Sequence, residues 1–267
     1  MSSEDQISDT RALPGAINFR DVARCGAVRP GRLFRSGELS RLNDDGRKAL
    51  QQIGIVDVAD LRSPGEVSLL GPGQVPSGVL IHGLPIPDVA TDGESPHEHA
   101  WRQAMTENPD SETIAVAATR YMVEEYRRFP TYSGTQRALR RIVQLLADER
   151  SVLVHCFAGK DRTGFLVALV LEAIGVDRNA ILTDYLYSNA SMSSLRSQVL
   201  HMIEKRSGAT AFITEAQLCE EVIGVRGEYL AAARSAIDGQ FGSLTAYLRD
   251  AGIYESDVER LRSALLS

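Results

Sequence analysis

The stretch 151-SVLVHCFAGKDRTGFLVALVLEAIG-175 constrains the chain more than any other. It opens on a short apolar run, reaches His155 and Cys156, crosses a loop of Gly, Lys, Asp and Arg, and enters a second apolar run. The first run has the length of a buried strand. The second, Phe165 to Ile174, is long enough for a helix, has Thr163 near its start and Gly175 as its C-cap. A strand feeding a tight loop that opens a helix is an anion-binding device. Loop N–H groups converge on one point, and the helix dipole adds positive potential there.

The residue types in the loop suit attack on an anion. Cys156 stands at its start, where such a cradle stabilises a thiolate. Arg162, six positions on, has the fork geometry to grip two phosphate oxygens. Gly159 lets the backbone turn closely around the ligand, and Thr163 is placed to hydrogen-bond the sulfur as it leaves. Phe157, Ala158, Gly159, Lys160, Thr163 and Gly164 complete the expected substrate cradle. A chance match to His-Cys-x-x-Gly-x-x-Arg-Thr-Gly in a chain of this length is on the order of one in a million from average residue usage. The bland alternative is a buried cysteine beside a solvated basic loop. A Walker phosphate loop does not fit, because Gly159-Lys160 is followed by Asp161 rather than Ser or Thr. A sulfurtransferase loop is usually shorter.

Around this unit, strands are expected at 16–22, 32–34, 55–61 and 79–84, the last running into Leu84-Pro85-Ile86-Pro87-Asp88, where proline stops a sheet. Helices are expected at 43–53, 114–129 and 135–149. After the central loop the chain reads as helical throughout, at about 177–189, 192–206, 214–224, 226–238, 243–251 and 255–266. Early strands mixed with helices, then helices alone, predict an α/β fold with a small, mostly parallel sheet flanked by helices. Residues 1–12 read as a disordered arm, 13–267 as a single domain, and 89–112 as a mobile acidic insertion.

Bulk properties exclude some functions. A net charge of −6 argues against nucleic-acid binding. Cys25, Cys156 and Cys219 are odd in number and widely spaced, so neither a disulfide framework nor a zinc pattern is expected. Cys25 and Cys219 read as ordinary thiols, either of which can shield Cys156 by a disulfide. Pro96-His97-Glu98-His99 lacks a cysteine cluster and reads as solvated rather than metal-binding. The polar N-terminus carries no apolar signal region, and the longest apolar run is too short to span a bilayer. A cytoplasmic protein with no cofactor, no metal and no integral membrane segment is expected.

The run His155-Cys156 through Gly164 resembles the signature of the cysteine-dependent protein tyrosine phosphatase family. Asn18-Phe19-Arg20-Asp21, Leu33-Phe34-Arg35-Ser36, Asp60-Leu61-Arg62-Ser63 and Tyr247-Leu248-Arg249 are similar to its bacterial branch, and nearly the whole chain after residue 12 fits. The resemblance implies a phosphocysteine mechanism without metal. It also implies substrates among phosphotyrosine, phosphoserine/threonine and phosphoinositides, and export without a signal peptide as an alternative location; transient contact with a membrane surface is expected from the Met-rich apolar faces of 192–223. The rival class is a non-catalytic phosphate-binding pseudophosphatase.

Such a reaction needs an acid for the leaving oxygen. Asp88, in a Pro-Asp loop after a strand, is the first choice because it resembles the mobile acid loop of tyrosine phosphatases. Asp161 is second, with buttressing of the loop as its alternative role, and Asp92 third. Asp21 and Asp60 read as structural partners of Arg20, Arg35 or Arg62. His155 reads as hydrogen-bonded behind Cys156 rather than as a free base, and His201 as a spectator. Lys160 resembles the loop lysine of lipid phosphatases of this superfamily and can bind a second phosphate; its alternative is a solvated surface lysine. Met192, Leu195, Val199, Met202 and Ile203, followed by Phe212, Ile213, Leu218, Val222 and Ile223, form apolar stripes that are ordinarily core. By the resemblance, about 191–225 is a candidate two-helix lid.

Overall fold

Five strands form one sheet in the order β1-β2-β5-β3-β4 in the computed structural model, which describes residues 13–26, 28–86, 114–205 and 218–266. They are β1 (Arg20–Asp21), β2 (Leu33–Ser36), β3 (Asp57–Asp60), β4 (Leu80–Gly83) and β5 (Val152–His155). Only β1 runs antiparallel to its neighbour. The expected small, mostly parallel sheet flanked by helices is therefore present. The register places Ser36, His155, Asp60 and Gly83 side by side at the carboxyl edge. That edge is where open α/β sheets present their ligands.

The central strands are buried on both faces, so their sequences do not alternate in polarity. Phe34, Val58 and Leu153 point to a smaller core with Leu39, Leu42 and Leu50, under α1 (Asp44–Ile53). Leu33, Ala59, Val152 and Val154 point to the larger core. There they meet α3 (Ile114–Arg128), α4 (Ser133–Ala147) and α5 (Asp161–Ala173). Beyond them lie α6 (Arg178–Tyr187), α7 (Met192–Lys205), α8 (Glu220–Ile223), α9 (Gly227–Phe241), α10 (Leu244–Asp250) and α11 (Glu255–Leu265). Helix α5 is apolar on nearly every side because it runs through the core and packs on β5.

Three expectations change. The strand expected over 16–22 shrinks to Arg20–Asp21, because Asn18 adopts a left-handed conformation, φ 56°, that interrupts extended backbone. The helix expected from Phe165 begins at Asp161, so the loop after β5 is shorter. A helix unforeseen in the sequence, α2 (Pro64–Leu70), follows β3. It starts with a reciprocal cap: Glu66 N–H donates to the Ser63 hydroxyl, and Ser63 N–H donates to the Glu66 carboxylate. The arm at 1–12, the insertion at 89–112, the histidines of 96–99 and residues 206–217 of the expected lid lie outside the described residues. So do Asp88, Asp92 and the side chain of His201. No helix among the described residues is long and apolar enough to cross a membrane.

Candidate active site

Strand β5 delivers Cys156 to the carboxyl edge of the sheet, and α5 starts only five residues later. The loop between them lies on the end of β2. At Gly159, φ is +67° and a Cβ would sit 2.0 Å from the Ser36 carbonyl oxygen, so only glycine fits. Gly164, in the first turn of α5, packs so closely that a Cβ would lie 2.9 Å from the Tyr185 ring. The spacing of the two glycines thus reflects close approach to β2 on one side and α6 on the other. Phe157 and Ala158 pack against Leu195 and Val199 of α7 and against Leu218 and Ile223. The expected lid segment therefore rests on the loop itself.

Cys156 is 2 % exposed. Behind it, a ring nitrogen of His155 lies 3.2 Å from the Cys156 carbonyl oxygen, and the other lies 3.5 Å from Asp60. Burial drives the His155 imidazole below its ordinary value, so it is neutral at pH 7. Asp60 chelates Arg62, as the sequence suggested. Asp21 pairs with no arginine among the described residues. Its carboxylate accepts from the amides of Ala23 and Gly31 and caps the short 3₁₀ turn after β1. The partner of Arg20 and Arg35 is Asp184 of α6, at 2.8 and 2.7 Å. The Thr163 hydroxyl is buried and bonds to none of the described residues.

Arg162 reaches over the edge of the sheet and is held on several sides. Its two terminal nitrogens donate to the two Glu66 oxygens at 2.7 Å each, and one also donates to the Ile86 carbonyl at 3.1 Å. Burial opposes the Glu66 charge, but Arg162 outweighs it and brings the carboxyl down to about 2. Burial likewise opposes the Arg162 charge, and Glu66 overrides it, holding the guanidinium well above its ordinary value. This fork-to-fork pair fixes the plane of the guanidinium. Glu66 was missed in the sequence because its partner Arg162 lies 96 residues away and no local pattern signals the pairing.

Lys160 is 6 % exposed, which excludes a solvated surface lysine. Its ammonium lies 2.8 Å from Asp161 and donates to the carbonyls of Val222 (2.8 Å) and Gly224 (3.1 Å). Asp161 also accepts from the Tyr126 hydroxyl at 3.0 Å, and Tyr126 in turn accepts from Tyr185 at 2.7 Å. Burial pushes both phenols well above their ordinary values, so both keep their protons. Tyr126 was missed because it lies 35 residues before Asp161 on a helix that reads as ordinary core. Among the described residues, no group of three or more His, Cys, Asp and Glu side chains is placed to hold a metal.

Residues 11–267 match the family model described as "Tyrosine phosphatase family". The triple specificity protein phosphatase PtpB of Mycobacterium tuberculosis is 55 % identical over 272 residues, covering 96 % of this chain and 99 % of that protein. A Cupriavidus necator protein named as a candidate tyrosine-protein phosphatase is 33 % identical, over 98 % of this chain and 87 % of its own length. The tyrosine-protein phosphatase of Nostoc commune is 25 % identical over 94 % and 80 %.

Proposed function

We propose, from the premise that this chain belongs to the tyrosine phosphatase family, that it hydrolyses phosphate monoesters through Cys156 and Arg162. The Cys156 thiolate attacks phosphorus while the bond to the leaving oxygen breaks and an aspartic acid supplies that oxygen with a proton. Loop amides and Arg162 hold the equatorial oxygens. Water then attacks the phosphocysteine, the P–S bond breaks, and the same aspartate takes the proton from the water. The observation that carries this reading is the buried Cys156 at the base of a loop whose far end presents an Arg162 aligned by Glu66.

Asp88 is the acid in this reading. Chain connectivity supports it: Ile86, two residues earlier, already touches Arg162, and two residues span at most about 7 Å. Asp161 is the competitor, its carboxylate oriented by Tyr126. Asp88→Asn is expected to lower kcat by about 10²–10⁴ for alkyl and other poor leaving groups and much less for nitrophenyl phosphates. If Asp161→Asn carries that leaving-group dependence instead, the two roles exchange.

The substrate range is that of a triple-specificity enzyme: phosphotyrosine, phosphoserine/threonine and phosphoinositides. It is supported by the identity to a protein bearing that description and by a cation inside the loop. Lys160 serves the ring phosphates of phosphoinositides once it exchanges Val222 and Gly224 for them. A hydrogen bond to a charged group contributes about 1.5 kcal/mol or more, so Lys160→Ala is expected to cost phosphoinositides about tenfold in kcat/KM beyond its effect on phosphotyrosine peptides. Side-by-side kinetics on phosphotyrosine peptides, phosphothreonine peptides and phosphoinositide vesicles test the range. Equal proportional losses on all three would mean that Lys160 only shapes the loop.

In this reading residues 13–267 are a single catalytic domain, and α7 with the 218–225 segment is a lid over the loop, supported by the packing of Leu195 and Val199 on Ala158. The enzyme works in the cytoplasm or, after export without a signal peptide, outside it, and meets membranes only transiently, when its substrate is a lipid.

A further inference from the structure

An anion cradle built from amides works only if the carbonyls of the same peptide units face outward. A trans peptide is planar, so its N–H points away from its C=O. Whatever holds the carbonyls therefore aims the amides. Five consecutive carbonyls of the loop are held from outside. Cys156 O faces the His155 ring, and Phe157 O accepts from the Glu38 amide at 3.0 Å. Ala158 O and Gly159 O accept from the Asn18 side-chain amide at 3.3 and 2.9 Å. Gly159 O and Lys160 O accept from one nitrogen of Arg35 at 2.9 and 3.4 Å.

Asn18 and Arg35 are themselves fixed. The Asn18 oxygen accepts from Arg20 at 2.5 Å, which leaves its NH₂ group facing the loop. Asn18 takes a left-handed backbone, φ 56°, to reach this place. Arg20 and Arg35 are register partners on β1 and β2, both buried, and both donate to Asp184. Burial and the neighbouring Arg35 bring the Arg20 guanidinium down to about 10, while Asp184 opposes that fall. Two guanidiniums on one carboxylate leave a buried excess of positive charge directly under the loop. Such an arrangement is costly unless the surplus donors find acceptors, and the loop carbonyls are among those they find.

We propose that Asn18 and Arg35, braced by Arg20 and Asp184, are positioning residues that hold the carbonyls of Ala158, Gly159 and Lys160 outward and so aim the loop amides at the substrate phosphate. This rests on the phosphatase reading above. Neither residue touches substrate.

Asn18→Gly isolates the effect. Glycine accepts the positive φ without strain, so the variant removes the side-chain donor and keeps the backbone path. Asn18→Asp keeps the acceptor for Arg20 but turns a carboxylate oxygen toward two carbonyls. Arg35→Lys removes the fork. The readouts are the tungstate dissociation constant by calorimetry, kcat/KM on a small aryl phosphate, and Tm. Deleting a whole oxyanion donor costs about 10²–10³, and misaiming several costs a comparable amount or somewhat less. Asn18→Gly is therefore expected to bind tungstate about 10- to 100-fold more weakly and to lose kcat/KM in parallel, and Asn18→Asp is expected to lose at least as much.

The control is Asp57→Asn, at the opposite end of β3, where Asp57 pairs with His82 and Arg150. It is expected to lower Tm as much or more and to leave tungstate affinity within twofold of wild type. Folded Asn18 variants that bind tungstate as wild type does would overturn the positioning role while leaving the cradle intact. A wild-type protein that binds no tungstate would overturn the cradle reading, and the positioning role with it. Should Arg35→Lys fail to fold, the Asn18 pair decides the matter.

Discussion

Cys156→Ser is expected to lower kcat on a small aryl phosphate by about 10⁴–10⁶ while leaving tungstate affinity within a few-fold of wild type. The scale is that of deleting a nucleophile from an otherwise intact catalytic site. Serine keeps the size of the side chain at a buried position, so the loop is not asked to repack. The His155 ring is not placed to activate a hydroxyl at position 156, because one of its nitrogens faces the Cys156 carbonyl and the other faces Asp60. The proposed anion cradle consists of amides and Arg162, which the substitution leaves in place. Turnover within tenfold of wild type would remove Cys156 from the mechanism. Loss of tungstate binding along with turnover would show that the substitution broke the loop.

The second large effect is expected at Arg162. Arg162→Lys should cost about 10²–10³ in kcat/KM, because an ammonium offers donors to one oxygen at a time and cannot bridge two equatorial oxygens. It also leaves Glu66 half-paired beside the anion, and a carboxylate there repels phosphate. Glu66→Gln is the complementary variant. It should cost less, since the arginine remains, but the guanidinium loses the partner that sets its plane. The pair also gives a pH signature. Glu66 has its carboxyl at about 2 in the fold against an ordinary 4.5, so its contribution to stability is complete above about pH 4.5 and is lost as pH falls toward 2. Urea unfolding of wild type and Glu66→Gln should therefore differ most near neutrality and converge over that interval. A gap that does not narrow would mean that the ion pair does not hold Arg162, and a mild loss for Arg162→Lys would deny Arg162 the clamp.

Much of this is legible in the order of the residues. The strand, loop and helix around Cys156 follow from two apolar runs and the residues between them. Their chemistry follows from a cysteine, glycines and an arginine at fixed spacing. The helix boundaries after residue 175 follow from periodicity, within a few residues, except that the helix expected at 214–224 is helical only over Glu220–Ile223 among the described residues, where Cys219 is extended. The expectations that failed did so for physical reasons. The Ser63–Glu66 cap is present as a pattern, yet α2 is short and carries no buried residue, so hydrophobic periodicity does not reveal it. The strand over 16–22 fails because Asn18 takes a conformation that propensity assigns chiefly to glycine. A solvated Lys160 and an arginine-paired Asp21 fail for one reason: neither solvation nor pairing choice is a local property.

The sequence by itself determined the loop and the class of fold and singled out Cys156 as the candidate nucleophile, because each depends on residues close together in the chain. Tertiary structure alone decided what holds that loop in working shape. Asp184 bridges Arg20 and Arg35 across 164 and 149 residues, Asn18 reaches the Gly159 carbonyl across 141, and Glu66 meets Arg162 across 96. Buried charges must find partners wherever the fold brings them, since leaving one unpaired costs several kcal/mol. A linear pattern carries no record of which partner that will be. The parallel register sets Ser36, Asp60 and His155 on one edge, and from that alignment the supports of the site follow.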